Sequence, residues 1–245
     1  MCGRFTSLTP PETVAEVFEA ALPNPTLFGD FRANYNVPPT TRVMAVANDR
    51  DGGRRVGRFS WGLVPAWATD TRRQGSLINA RSETVLEKPS FRQLVPRRRC
   101  IIPMDGFFEW RTVGVPEPEP GGRAPKLPVY VTRTDGEMLA VAGLWTSWRD
   151  QSAGEDAPWL HTCCVITTEA NATMSPIHDR MPVILERESW NSWLDVPHGE
   201  HRGTDIAEVV SLMVPAEPDI IRAVPVGTAV NAVRNNGPEL IVPLD

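Results

Sequence analysis

Asp105-Gly106-Phe107-Phe108-Glu109-Trp110 embeds one carboxylate in an aromatic run that reads as an extended strand. Side chains alternate between the two faces of a strand, so Phe107, Glu109 and Arg111 share one face while Phe108 and Trp110 share the other. A carboxylate among apolar neighbours is costly to bury unless it is paired or functional. Glu109 is therefore an acid/base candidate, with an ion pair to an arginine as its alternative role.

Working outward, residues 112–127 contain Pro116, Pro118, Pro120, Gly121, Gly122 and Pro125 and predict an exposed loop without regular structure. Beyond it Pro128–Arg133, Met138–Leu144 and Thr162–Thr168 read as strands, interrupted by a second exposed loop at about 149–158. Upstream, Arg97-Arg98-Arg99 reads as the solvated start of the strand from Cys100, with phosphate contact as the alternative. Arg42–Ala47 and Arg55–Ser60, separated by Asp51-Gly52-Gly53, predict a hairpin. Thr9-Pro10-Pro11-Glu12 reads as a capping box, opening a helix that carries Val14, Val17, Phe18, Ala21 and Leu22 at helical spacing. Short helices are expected after Ser82, over Glu188–Leu194 and over Asp205–Met213 with Thr204 as N-cap; Ile220–Val226 is a closing strand.

A chain of 245 residues, 41% hydrophobic and without an internal repeat, is expected to bury its core as one domain spanning 1–245. No apolar run is long enough to cross a bilayer and no secretory leader opens the chain, so a soluble, cytoplasmic protein is expected. Cys2, Cys100, Cys163 and Cys164, like His161, His178, His198 and His201, lack metal-ligand spacing, which predicts no metal and no cofactor. The net charge of -5 argues against nucleic acid until it is mapped. Residues 1–111 hold 16 Lys and Arg against 11 Asp and Glu, or +5, and residues 112–245 hold 9 against 19, or -10. The first part can build a basic face, almost entirely from arginine.

The N-terminal Met1-Cys2-Gly3-Arg4-Phe5 supplies the chemistry. Loss of Met1 would leave an α-amine and a thiol on adjacent carbons, both partly deprotonated near neutral pH. Such an aminothiol captures an aldehyde as a Schiff base, and ring closure by the thiol to a thiazolidine is intramolecular. Arg4 places a cation two residues away, suiting an anionic aldehyde. Trp61 reads as core, whereas Trp67, between Pro65 and a polar loop, can present a stacking face. His178, in Ser175-Pro176-Ile177-His178-Asp179-Arg180-Met181-Pro182, is bracketed by turns that can aim it into a cleft.

Together with Tyr35-Asn36-Val37-Pro38, Trp61-Gly62-Leu63, Ile78-Asn79-Ala80-Arg81 and the tail from Val230 to Leu240, these motifs resemble the SOS response-associated peptidase family over nearly the whole chain. The resemblance implies an α+β fold: antiparallel sheets in a barrel-like core, peripheral helices and a DNA-binding channel. It implies a monomeric shield for abasic sites in single-stranded DNA, nucleoid-associated at damage, that crosslinks the ring-opened sugar through Cys2. By the same resemblance Asn79 hydrogen-bonds near the sugar, Arg4 and Arg81 contact flanking phosphates, Glu109 moves protons, His178 assists ring opening and reversal, and Trp67 supports unstacked DNA. The acidic, proline-rich loop at 112–127 departs from the lysine-bearing loop of the family.

Three other chemistries share the early residues. A thiol peptidase could use Cys2, His178 and Asn79 or Glu109, including on its own Met1. An N-terminal-nucleophile amidotransferase also begins Met-Cys-Gly but needs an early Asn-Gly, and here Asn-Gly occurs only at Asn236-Gly237. A non-catalytic DNA-binding module would make Cys2 incidental, and would bind reversibly with strong salt dependence.

Overall fold

The computed structural model describes residues 2–23, 25–49, 51–113 and 125–244. In chain order its strands are β1 (Phe5–Ser7), β2 (Asn34–Val37), β3 (Arg42–Asn48), β4 (Arg54–Trp61), β5 (Asn79–Arg81), β6 (Arg99–Met104), β7 (Gly106–Thr112), β8 (Lys126–Arg133), β9 (Leu139–Trp148), β10 (Leu160–Glu169), β11 (Arg180–Pro182) and β12 (Ile221–Pro225). Its α-helices are α1 (Pro11–Val17), α2 (Trp190–Leu194) and α3 (Ile206–Ser211).

Five strands form an antiparallel sheet in the order β12-β8-β7-β1-β2. Of the other seven, six run β11-β10-β4-β3-β6-β9 and β5 pairs with β10 off that path, while β9 pairs back onto β10, closing a ring of β3, β4, β10, β9 and β6. The family-like barrel core is thus present, though not purely antiparallel. β10 runs parallel to β4 at Thr162–Ser60 and parallel to β5 from Val165–Asn79 to Thr167–Arg81.

Period-two patterning explains how one sheet serves two cores. On β10, Cys163 and Val165 join a cluster with Cys2, Phe5, Trp61, Phe107 and Val131, whereas Cys164 and Ile166 join one with Val14, Phe18, Trp193 and Val209. The first cluster lies between the sheets, and the second lies beneath the helices. A strand buried on both faces reads as a continuous apolar run, as Cys163–Ile166 at the centre of β10 does. Phe108 and Trp110 turn the other way, into a third cluster with Tyr130, Val226, Val230 and Leu240, as their alternation required.

Several expectations need correction. Thr9 does not cap α1: its hydroxyl donates to Asp105 (2.5 Å), and the N-cap is Pro10 with no side-chain bond. Ser82 opens only a 3-10 turn, Ser82–Thr84, and makes no side-chain cap. Asp205, not Thr204, caps α3 by accepting from the Ala207 amide (2.8 Å). The loop expected over 112–127 is shorter, because Thr112 and Lys126 still pair across the β7–β8 hairpin, and its centre at 114–124 lies outside the described residues. Arg99 is no solvated strand start. It is fully buried and donates to the carbonyls of Trp193 (2.5 Å), Val95 (2.6 Å) and Asp195 (2.5 Å), with burial pushing its pKa down to about 10.

Candidate functional site

β1 is three residues long, yet it sets the position of everything N-terminal to it. It is held on both edges, Phe5 facing Val37 of β2 and Phe107 of β7. The Phe108 amide donates to the Arg4 carbonyl (2.9 Å), so the β7 pairing extends past Phe5 and brings residues 2–4 alongside Phe107–Glu109. Asp105 pins the far end, accepting from the amides of Leu8 (2.5 Å) and Thr9 (3.2 Å). Its partner glycine, Gly106, has no room for a side chain: a Cβ there would lie 2.5 Å from the Tyr130 ring.

Cys2, Glu109 and Asn79 converge at this point. Cys2 and Glu109 are both buried, the latter at 3% exposure. Burial pushes the Cys2 thiol well above its ordinary range, and the Glu109 carboxylate close by pushes it further. Asn79 leaves β5 on the exposed side of Ala80 and donates its amide N–H to the Cys2 carbonyl (3.0 Å). The Asn79 Oδ1 is buried without a hydrogen-bond partner. An orphaned buried acceptor is destabilising, and it is ready-made for a donor brought by a ligand.

Arg4 is half-buried, and its guanidinium is aimed by two acceptors, Asn36 Oδ1 (2.6 Å) and the Val230 carbonyl (3.1 Å), while it stands 5.9 Å from the Trp110 ring centroid. Arg81 is exposed at the end of β5, two residues from Asn79 on the same side of the strand. His178 is 27% exposed on the turn before β11, where its Nδ1 lies 2.7 Å from Asp179 and accepts from the Arg180 amide (3.0 Å). Arg180 fastens this turn to the neighbouring elements, pairing with Glu83 (2.5 and 2.9 Å) and donating to the Thr167 carbonyl (2.7 Å). Trp67 stands apart on the connection between β4 and β5, 70% exposed, beside a staple from the Trp148 indole N–H to the Ala68 carbonyl (2.7 Å).

Sequence reasoning assigned no role to Asn36, Asp105 or Arg180, although all three hold site residues in place. The sequence reads Asn34–Pro39 as a turn-rich polar stretch, whereas Asn34–Val37 is strand β2, paired with β1. Asn36 is 2% exposed and donates to the carbonyls of Val230 (3.2 Å), Ala232 (3.1 Å) and Asn235 (3.0 Å), tying the chain's tail to the Arg4 anchor. All four cysteines are free and buried. Among the described residues no cluster of His, Cys, Asp or Glu is placed to hold a metal, and no helix is long and apolar enough to cross a membrane.

A family model described as SOS response associated peptidase matches residues 1–233. The chain is 38% identical over 243 residues to the abasic site processing protein YoqW of Bacillus subtilis, an alignment that covers 98% of this chain and 99% of that one. It is 31% identical over 250 residues to the abasic site processing protein YedK of Escherichia coli, over the full length of both. The crystal structure of a protein from Bacteroides thetaiotaomicron superposes with a TM-score of 0.82 at 26% identity, over 99% of this chain and all of that one.

Proposed function

Because this chain belongs to the SOS response associated peptidase family, we propose that it processes abasic sites in DNA, and that it does so by covalent capture through Cys2 once Met1 has been removed. The observation that carries this reading is the meeting of Cys2, Glu109 and Asn79 at the end of β1. The sugar is ring-opened to its aldehyde, with proton transfer assisted by His178. The α-amine of Cys2 adds to the aldehyde carbon, and loss of water, with acid help from Glu109, leaves a C=N bond. The sulfur then adds to that carbon while its proton passes to the nitrogen, closing a thiazolidine with no oxidant or reductant.

The electrostatics favour this use of the thiol over a thiol peptidase. A cysteine nucleophile of the peptidase kind works as a thiolate stabilised by a neighbouring cation. For Cys2, burial first and then the Glu109 carboxylate push the thiol pKa upward, which outweighs the opposing charge of the N-terminal amine. A protonated thiol needs a base at hand as it adds to an imine, and Glu109 is that base. Asn79 Oδ1 can accept from a sugar hydroxyl, and Arg4 and Arg81 flank the site as phosphate contacts in single-stranded DNA. Trp67 offers a face to an unstacked base.

The decisive experiment separates aminothiol from thiol chemistry. One alanine is inserted between Met1 and Cys2, so that processing leaves a terminal alanine and the Cys2 nitrogen becomes an amide. The variant is incubated with single-stranded DNA carrying one abasic site, and denaturation-resistant adduct is measured. The adduct should disappear while DNA affinity stays near that of the processed wild-type chain. A durable adduct from the insertion variant would refute the mechanism and leave an ordinary cysteine nucleophile in its place.

A further inference from the structure

Away from Cys2, the hairpin of β9 and β10 forms one wall of an open cleft of about 1000 Å³. Trp145 and Ser147 project to one face by alternation, Arg149 just past the end of β9 lines the same cleft, and the register sets Ser147 opposite His161, with the hydroxyl 2.8 Å from the imidazole Nδ1. Arg97 and Arg98 form the adjoining wall. Two arginines lie over indoles: Arg98 is 4.2 Å from the Trp145 ring centroid and Arg149 is 5.0 Å from that of Trp159. Trp159 is 58% exposed, an uncommon place for so large an apolar surface. Asp49, the one carboxylate among the described residues that line the cleft, is paired with Arg55.

The cleft is therefore cationic and lined by planar rings, and it holds little opposing charge. Burial and the nearby Arg98 charge both hold the His161 pKa below its ordinary value, so its ring is a further neutral, flat surface. A ligand that matches must alternate negative charge with planar rings, which is the chemistry of a nucleotide strand. The route from the cleft to the site runs along β10: His161 lines the cleft, and four residues further on, about 13 Å along an extended strand, Val165 pairs with Asn79.

We infer that this cleft is a second, non-covalent site for single-stranded DNA, which holds the strand beyond the abasic nucleotide by stacking on Trp159 and the Arg98–Trp145 pair and by phosphate contact with Arg97, Arg98 and Arg149. This rests on the proposed abasic-site reading for the identity of the strand, but it is tested on undamaged DNA. Free mononucleotides share the chemistry, and the length of the strand distinguishes them.

The test measures fluorescence anisotropy with undamaged oligothymidylates of about 15 and about 5 nucleotides, spanning the usual range of single-strand site sizes. Trp159→Ala should weaken binding of the long oligomer about tenfold and leave the short one within twofold of wild type. Arg97→Glu should lower the magnitude of its salt slope by about 0.7, the loss of one phosphate contact on a single strand. Both residues are exposed, and thermal unfolding of each variant checks that the fold survives. Adduct formation on a saturating short abasic oligomer should be unchanged in both. Equal losses on long and short oligomers, or none on either, would overturn the inference. So would thymidine monophosphate binding as tightly as the long oligomer and displacing it, which would make this a free-nucleotide site. If instead the wild-type chain makes no adduct with abasic DNA, the proposed function fails, while the length dependence on undamaged DNA still reports on the cleft.

Discussion

Glu109 shows how far one residue's environment constrains its role. It shares its face of β7 with Phe107, inside the cluster that also contains Cys2, and its charge is among the causes of the raised Cys2 pKa. A group buried beside the nucleophile and able to exchange its proton should act on rate more than on affinity. Glu109→Gln keeps the shape and removes proton transfer, so single-turnover adduct formation should slow by ~10²- to 10⁴-fold with DNA affinity nearly unchanged. Equal losses in binding and rate would assign Glu109 a structural role. Its place on an apolar strand face was readable from alternation alone. Its closeness to Cys2, 107 positions earlier, was not.

At the scale of elements, the site depends on a strand too short to stand by itself. β1 has three residues, and its position comes from β2 and β7 on its two edges and from side-chain ties at its ends. Asn36 on β2 makes one of these ties, bonding Arg4 and three carbonyls of the 230–235 tail. Each such bond contributes about 1 kcal/mol net, and a buried carbonyl left unsatisfied costs more than the bond itself. Asn36→Ala should therefore lower the unfolding free energy by about 2–3 kcal/mol in urea titrations and weaken DNA binding through the released Arg4. A change below about 0.5 kcal/mol would mean that water replaces the amide at no cost. The same logic explains the failed cap on α1. Thr9 and the following prolines carry the local signal for a capping box, but Asp105 lies close enough in space to take the Thr9 hydroxyl and amide. A tertiary acceptor outcompetes a local one when it is charged.

For the molecule as a whole, the four buried thiols set an upper limit on pH. Burial pushes Cys100 and Cys163 well above the ordinary thiol value of 9.0, Cys164 to about 12, and Cys2 upward as well, with neighbouring thiols adding to the shifts of Cys100 and Cys163. The folded chain keeps these protons while the unfolded chain releases them above about pH 9. The unfolded state then binds fewer protons, and stability falls as pH rises from that point towards the folded values. Each thiol removes up to about 1.4 kcal/mol per pH unit in this window. Urea midpoints measured at pH 8 and pH 10 should show the decline, and Cys163→Ala should reduce its steepness. Identical midpoints in the wild-type chain would show that the thiols stay protonated on unfolding or are not buried in solution.

Period and punctuation carried much of this fold in the sequence itself. The β3–β4 hairpin follows from two strand-like runs about Asp51-Gly52-Gly53, and the split of β7 between two cores follows from the alternation of Phe107 and Phe108. These are local properties: a side chain's face is set by its own strand. Residue type and neighbours likewise marked Cys2 and Glu109, and the family resemblance marked Asn79. Only the tertiary structure decided which of them meet. Closure of β9 onto β10, the parallel seating of β5 on β10 and the register of β1 against β7 join residues far apart in the chain. Such pairings are selected by packing complementarity between whole faces, and no window of sequence contains both partners. The buried Arg99 makes the same point, since a third arginine in a row reads as solvated until the carbonyls of Val95, Trp193 and Asp195 converge on it.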